Sequence, residues 1–190
     1  MPSLHGAPKM KRHSTPGRQR GTTLVEAATV IAIVSIVTAV ALPNFGPSVE
    51  RRHIEGAAAQ LETDLQLARA TAVASNAGVR VNFQVLADGG SCYVMHTGAA
   101  GDCSCTEEGQ PECRPGAEAL RTAHYGPGVP VRIASNSRSI LFDPVAGTVT
   151  PTATMKVQGR SGSAVHQIVN VMGRVRSCSP APALPGFRAC

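Results

Sequence analysis

One unbroken apolar run and two hydrophobic periods divide the chain. From Thr22 to Leu42 the sequence reads TTLVEAATVIAIVSIVTAVAL, 21 residues in which Glu26 is the one charge. At ~1.5 Å per residue a helix of that run is about 31 Å long, which predicts a membrane-spanning segment over 22–42. Beyond Pro43 and Pro47, Ile54, Ala58, Leu61, Leu65, Ala68 and Ala72 recur in steps of four and three, while Glu55, Glu62, Asp64, Gln66 and Arg69 take other faces. That spacing predicts an amphipathic helix within 43–77, ending near Asn76-Ala77-Gly78, with its apolar stripe on a sheet.

Past Gly78 the period falls to two. Val79, Val81, Phe83 and Val85 alternate with Arg80, Asn82 and Gln84, Asp88-Gly89-Gly90 supplies a turn, and Cys92-Tyr93-Val94-Met95 reads as the returning strand. Further strands are expected at 129–133, 139–142, 148–149, 154–157 and 165–172, with turns at Asp143-Pro144 and around 159–163. A long N-terminal helix feeding a mostly antiparallel sheet over 78–190 is an α+β arrangement. The polar stretch 97–119, rich in Gly, Pro and Glu, reads as an insert too poor in apolar residues to bury a core.

Charge changes the picture by its distribution. The 190 residues carry a formal net charge of +6, but residues 1–21 hold Lys9, Lys11, Arg12, Arg18 and Arg20 and no acid. From Thr22 onward 13 basic side chains face 12 acidic ones, a net of +1. This remainder is polarised, at −6 over 22–120 and +7 over 121–190. The basic flank before the apolar run places residues 1–21 in the cytoplasm and the rest outside. A secretory signal peptide is a poor alternative, because Leu42-Pro43-Asn44-Phe45 offers no small-residue cleavage site after the run.

A carboxylate near the end of an apolar helix costs up to roughly 2.5–3.5 kcal/mol at mid-membrane, so Glu26 calls for a partner or a task. Arg20-Gly21-Thr22-Thr23-Leu24-Val25-Glu26 followed by the apolar run resembles the class III leader of type IV pilins and pseudopilins. The resemblance implies that 1–21 is removed after Gly21 by a membrane prepilin peptidase and that Thr22 becomes an N-methylated terminus, where the family most often has Phe or Met. It also implies that Glu26 pairs with the terminal amine of a neighbouring subunit, with other pilins and the inner membrane as partners. The protein would be a single-pass inner-membrane protein with a periplasmic domain, carried later into a pilus or pseudopilus at the cell surface. Ser139-Ile140-Leu141-Phe142-Asp143-Pro144 with Gly147, and 165–172 running into Gly173-Arg174-Val175-Arg176-Ser177-Cys178, resemble the GspH/FimT group of minor pilins. The fold so implied is a long helix packed on an antiparallel C-terminal sheet or sandwich.

Six cysteines, at 92, 103, 105, 113, 178 and 190, all follow the apolar run and so lie in a disulfide-permitting compartment. Cys92, Cys103, Cys105 and Cys113 suggest a crosslinked insert. Cys178 and Cys190 bracket a proline-rich step and can close a C-terminal loop that holds Arg188 close to Arg174 and Arg176, although six cysteines allow 15 connectivities. Cys103-Ser104-Cys105 with Cys113 lacks zinc-ligand spacing, so no metal or other cofactor is expected.

Lys156, Arg160, Arg174, Arg176 and Arg188, with Arg132 and Arg138, share the last third with a single acid, Asp143. Alternation on an extended strand would point Arg174 and Arg176 the same way, a pair suited to phosphates, with Gly173 permitting close approach. Resemblance to FimT-like minor pilins, in which a Gly-Arg-x-Arg ending is associated with DNA capture in natural transformation, makes double-stranded DNA an expected partner. Aromatic residues make up only 3% of the chain, so binding would be phosphate-driven and independent of base sequence. The competing expectation is a GspH-like pseudopilin of type II secretion with no DNA role. No phosphate loop, nucleophile elbow or paired metal spacing points to an enzyme. Basic residues in the tail 173–190 can also simply solubilise a surface.

Overall fold

A computed structural model describes residues 23–41 and 45–190, so the leader 1–21, Gly21, Thr22, Leu42 and Pro43 lie outside the described residues. The chain divides into two compact units, 1–43 and 44–190.

In the first unit, helix α1 spans Leu24–Ala41, 18 residues and roughly 27 Å. Among the described residues no helix is long and apolar enough to cross a membrane, so the spanning segment expected over 22–42 is not shown. Thr23 caps the helix: its Oγ1 accepts the Glu26 amide at 3.3 Å, and Glu26 stands in the first turn, where a carboxylate complements the exposed N–H groups. The hydroxyls of Thr29, Ser35 and Thr38 donate back to carbonyls of their own helix, so they leave no polar group to satisfy on its surface. Leu24, Val25, Ile31, Ile33 and Ile36 are all more than half exposed.

The second unit starts with α2, Phe45–Ser75, 31 residues. Pro47 was expected to precede the helix and instead sits inside its first turn, where a missing N–H costs nothing. The helix stops at Asn76, whose φ of 51° and the Ala77 N to Ala72 O bond of 3.2 Å form a left-handed C-cap. Ile54, Ala57, Ala58, Leu61, Leu65, Ala68 and Ala72 are buried as a stripe, and the small alanines let sheet backbone approach closely.

That stripe packs on two sheets. The first is antiparallel, ordered β5-β2-β1-β7-β8, from β1 (Val79–Val85), β2 (Ser91–Thr97), β5 (Ala119–Tyr125), β7 (Ser139–Phe142) and β8 (Val149–Thr150). The second is ordered β11-β10-β9-β6, from β6 (Val131–Ser135), β9 (Ala153–Gly159), β10 (Ala164–Val169) and β11 (Val175–Cys178). A short hairpin of β3 (Cys103–Cys105) and β4 (Pro111–Cys113) forms the insert. The strand expected to run through 165–172 ends at Val169, because Asn170 to Gly173 make a turn closed by the Gly173 N to Asn170 O bond of 2.9 Å. Strand β5 was not anticipated: its burial alternates weakly, and it follows an insert whose composition hides the register.

Disulfides join Cys92 to Cys105, Cys103 to Cys113 and Cys178 to Cys190. The first two fasten the insert to β2 and close its hairpin, and contrary to the expectation from its polar composition the insert buries a small core of its own, in which Cys103 and Cys105 pack with Leu86, Cys92 and Val94.

One residue of α2 contradicts the expected pattern. Asp64 was placed on a solvent face but is 3% exposed. Its Oδ2 accepts the Tyr93 hydroxyl at 2.6 Å, and Arg121 Nε lies 2.6 Å from its Oδ1. The arginine N–H is not aligned for a hydrogen bond to that oxygen, so the contact is an ion pair rather than a directed bond. Burial, and then the bond to Asp64, drive the Tyr93 phenol far above its ordinary pKa. Burial, with the Asp64 charge second, pushes Tyr125 up to about 12. On the other side of the helix Gln167, buried in β10, donates to the Ala58 carbonyl at 3.0 Å, and Ser177 Oγ lies 2.8 Å from Gln167 Oε1 and 3.0 Å from Glu62 Oε2.

Tyr93→Phe removes the only hydroxyl bonded to Asp64 among the described residues, so it is expected to destabilise the protein by about 1–3 kcal/mol. Thermal unfolding of the two proteins side by side reads the difference; equal midpoints would show that the ion pair with Arg121 suffices for Asp64 without the hydroxyl.

Candidate functional site

The outward face of the β11-β10-β9-β6 sheet collects the basic residues of the last third of the chain. Strand pairing fixes how they meet. Arg176 on β11 is level with Ile168 of β10, which is level with Thr154 of β9. Two residues further along β9, Lys156 pairs with His166, and two further again Gln158 pairs with Arg132 of β6. Arg174 lies two residues before Arg176, and Arg160 just past the end of β9. The register therefore sets Arg174, Arg176, Lys156, Arg132 and Arg160 in a diagonal stripe. From Arg176 to Arg132 the stripe runs roughly 20 Å, from strand spacings of about 4.8 Å and rises of about 3.3 Å.

All five side chains are exposed, and the outward positions between them, Thr154, Gln158, Ala164, His166, Ile168 and Ala134, include no acid. The ring of His166 is held below its ordinary pKa, by burial first and by the Lys156 charge second, so it is neutral at pH 7. Arg160 is fixed in place, its Nη2 donating to the carbonyls of Pro127 at 3.0 Å and Gly128 at 3.1 Å. Arg188 lies on the C-terminal loop, where its carbonyl accepts the Ser179 amide at 2.8 Å beside the Cys178–Cys190 disulfide.

Arg132 belongs to this stripe although it was not selected as a binding residue from sequence. The signal was present in Val131-Arg132-Ile133, buried, exposed, buried, which puts the guanidinium on the outer face. What sequence alone did not supply was the neighbour: β6 pairs with β9, more than twenty residues downstream.

Gly173 has a different role from the one expected. It is buried, with φ at 70°, and an added Cβ would collide with the Gly147 carbonyl and crowd the Arg69 side chain. The close approach it allows is between two turns of its own chain. Asn170 Oδ1 accepts the Arg174 amide at 2.9 Å and completes the turn that aims β11. Strand β11 is also an edge strand, where arginines discourage pairing with another chain.

His166, Cys178 and Cys190 bring one possible metal-ligand atom each within 4.8 Å of one another. The two sulfurs are joined in a disulfide and so present no thiolate, which leaves a single imidazole.

A long helix laid across antiparallel sheets is the architecture of type IV pilins. The solved minor pilin FimU of Pseudomonas aeruginosa superposes with a TM-score of 0.52 at 18% identity, covering 71% of this chain and 98% of that one. The chain belongs to the family described as type II transport protein GspH, whose family model matches residues 57–173. It is also 27% identical over 165 residues to the pilin-like protein PilA1 of Thermus thermophilus, covering 83% of this chain and 97% of that protein. The protein is therefore a type IV minor pilin or pseudopilin, of a family and fold whose members are structural and assemble with other pilins in a pilus or pseudopilus.

Gly173→Ala is expected to cost more than 1 kcal/mol, because a side chain must adopt a left-handed backbone against Gly147. Arg174→Ala/Arg176→Ala, both exposed, should stay within about 0.5 kcal/mol per site. Denaturant melts of the three proteins separate the structural glycine from the surface arginines; a stable Gly173→Ala protein would return the glycine to a ligand-approach role.

Proposed function

We propose that this protein is a minor pilin whose exposed sheet face holds double-stranded DNA by its phosphates during uptake in natural transformation. The observation that carries the reading is the diagonal of Arg174, Arg176, Lys156, Arg132 and Arg160 on a sheet face whose outward strand positions hold no acidic side chain, with Asp88 of the β1–β2 turn bordering it at the Arg132 end. The sheet is about 14 Å wide between β11 and β6, comparable with a DNA groove of about 12 Å, so cations at its two edges can meet backbones on either side of a groove. No Phe, Tyr or Trp stands among the outward positions of that face, so recognition is electrostatic and independent of base sequence. Arg188 extends the positive field from the C-terminal loop.

Before assembly, the same proposal has the leader 1–21 removed by a prepilin peptidase after Gly21, Thr22 methylated, and α1 held in the inner membrane. Glu26 then neutralises the amine of a neighbouring subunit. The exposed apolar surface of α1 supports this, since a helix apolar on every side is stable only when lipid or other helices cover it. The family description, type II transport, favours a second reading in which the filament is a secretion pseudopilus and the basic face meets another subunit or cargo.

Each part has its measurement. Duplex affinity should fall steeply with salt, and Arg174→Ala/Arg176→Ala should lower the slope of log K against log salt by about 2. An unchanged slope removes the phosphate contacts assigned to the pair and favours the secretion reading. Protonation of His166 would add a cation beside Lys156, so at fixed salt duplex binding should tighten only once the solution is acidified past the depressed pKa of that imidazole, and this gain should vanish in His166→Gln. The same depressed pKa means the unfolded chain takes up the proton first, so the stability contributed by His166 is full above about 6.5 and declines as the solution is acidified. For processing, mass spectrometry of protein taken from membranes should place the mature N-terminus at methylated Thr22; any other start rejects the leader assignment.

A further inference from the structure

We infer that the concavity at the Arg132–Arg160 end of the stripe is a site for a phosphate monoester, such as the terminal phosphate of a polynucleotide. It has a volume of about 420 Å³ and lies between the β1–β2 turn, the loop after β5, and the ends of β6 and β9. Asp88, Gly89, Pro127, Arg132, Gln158 and Arg160 line it. The inference rests on the DNA reading for the source of the phosphate, though not for the existence of the site.

The two arginines are positioned differently. Arg160 spends two of its five N–H groups on the carbonyls of Pro127 and Gly128, which immobilises the guanidinium and leaves three donors. Arg132 reaches over Gly89, a turn position whose φ of 86° favours glycine, with its Nη2 3.4 Å, ordinary contact distance, from where a Cβ would stand. Among the described residues no acceptor is bonded to the Arg132 guanidinium, so its full fork is available. Asp88 is the one acid in the lining, and its Oδ1 is taken by the Gly90 amide at 2.7 Å within the turn. Two planar forks facing one hollow match an oxyanion that has several free oxygens.

Shape then selects the ester. The internal diesters of a duplex lie on a convex rod and can touch the open stripe, but they cannot enter a hollow. A terminal monoester protrudes, offers three free oxygens and carries nearly two negative charges at neutral pH. The stripe and the hollow are continuous through Arg132, so a duplex lying along the sheet can bring its end to the pocket. A free phosphorylated small molecule or inorganic phosphate presents the same chemistry.

The test uses the full chain in detergent, with blunt duplexes bearing 5′-phosphate or 5′-hydroxyl ends, and with adenosine 5′-monophosphate against adenosine. The 5′-phosphorylated duplex should bind roughly tenfold more tightly than the 5′-hydroxyl duplex, and the mononucleotide should bind where adenosine does not. Inorganic phosphate should compete for both preferences. Arg132→Ala should abolish both; Arg160→Ala serves as a second variant whose loop can be checked by thermal unfolding. Arg174→Ala/Arg176→Ala should weaken the two duplexes equally and leave the mononucleotide unaffected. If the mononucleotide binds and neither duplex does, the pocket stands with a small phosphorylated ligand and the DNA reading fails. Equal binding of phosphorylated and hydroxyl ends together with no mononucleotide preference overturns the pocket, even if the duplexes still bind the stripe.

Discussion

Helix α2 must satisfy two sheets at once, and the rest of the second unit is arranged by that requirement. A stripe of Ile54, Leu61 and Leu65, interleaved with four alanines, is narrow enough for both sheets to approach the same helix. Apolar contact alone would let the helix slide or rotate, because it has no direction. Two polar contacts remove that freedom: Asp64 accepts from Tyr93 of the five-stranded sheet, and Gln167 of the four-stranded sheet donates to the Ala58 carbonyl. Leaving either buried partner unmade costs on the order of 1–3 kcal/mol, enough to specify one helix rotation over its neighbours. Each strand in turn sets its apolar alternate residues toward that helix, and this leaves the other residues of β6, β9, β10 and β11 to solvent.

The cationic stripe is a consequence of that choice. Val131, Ile133, Met155, Val157, Val165 and Val169 occupy the inward positions, so Arg132, Lys156 and His166 have nowhere to go but out. Residues 132, 156 and 176 are far apart along the chain and become neighbours through antiparallel register. Exposed charges more than a Debye length apart act weakly on one another at physiological salt, yet they add when a polyanion lies across them. A row of cations on a rigid sheet costs little to order on binding, in contrast to arginines on a mobile tail.

Much of this was legible in the sequence, though unevenly. Periods of 3.6 and two gave the helix, the β1–β2 hairpin and the α+β class because burial on one face leaves its mark at every residue. The buried Asp64 was not legible: its spacing of three from Leu61 and four from Ala68 sets it beside the buried stripe, but its charge argues for solvent until Tyr93 and Arg121, on strands far along the chain, are seen to meet it. The insert was hidden because disulfides hold it, and strand β5, paired with β2, because the apolar alternation that would reveal a strand is weak. Arg132 was named among the basic residues of the last third and falls in the strand expected at 129–133, but its place beside Gln158 depends on long-range pairing that no local pattern encodes.

The Gly-Arg-Val-Arg segment shows how a short motif can combine unrelated physical demands. Its glycine is set by the fold: buried, left-handed in φ, and pressed against the turn at Gly147. Val175 is half-buried and packs against the core, which fixes the parity of the strand. Only the arginines are free of structural duty, and parity obliges both to face solvent two residues apart. A Gly-x-Val-x pattern without arginines would keep the hairpin and lose the charge, so the chemical content of the motif lies in Arg174 and Arg176, while Gly173 and Val175 determine where those charges are held.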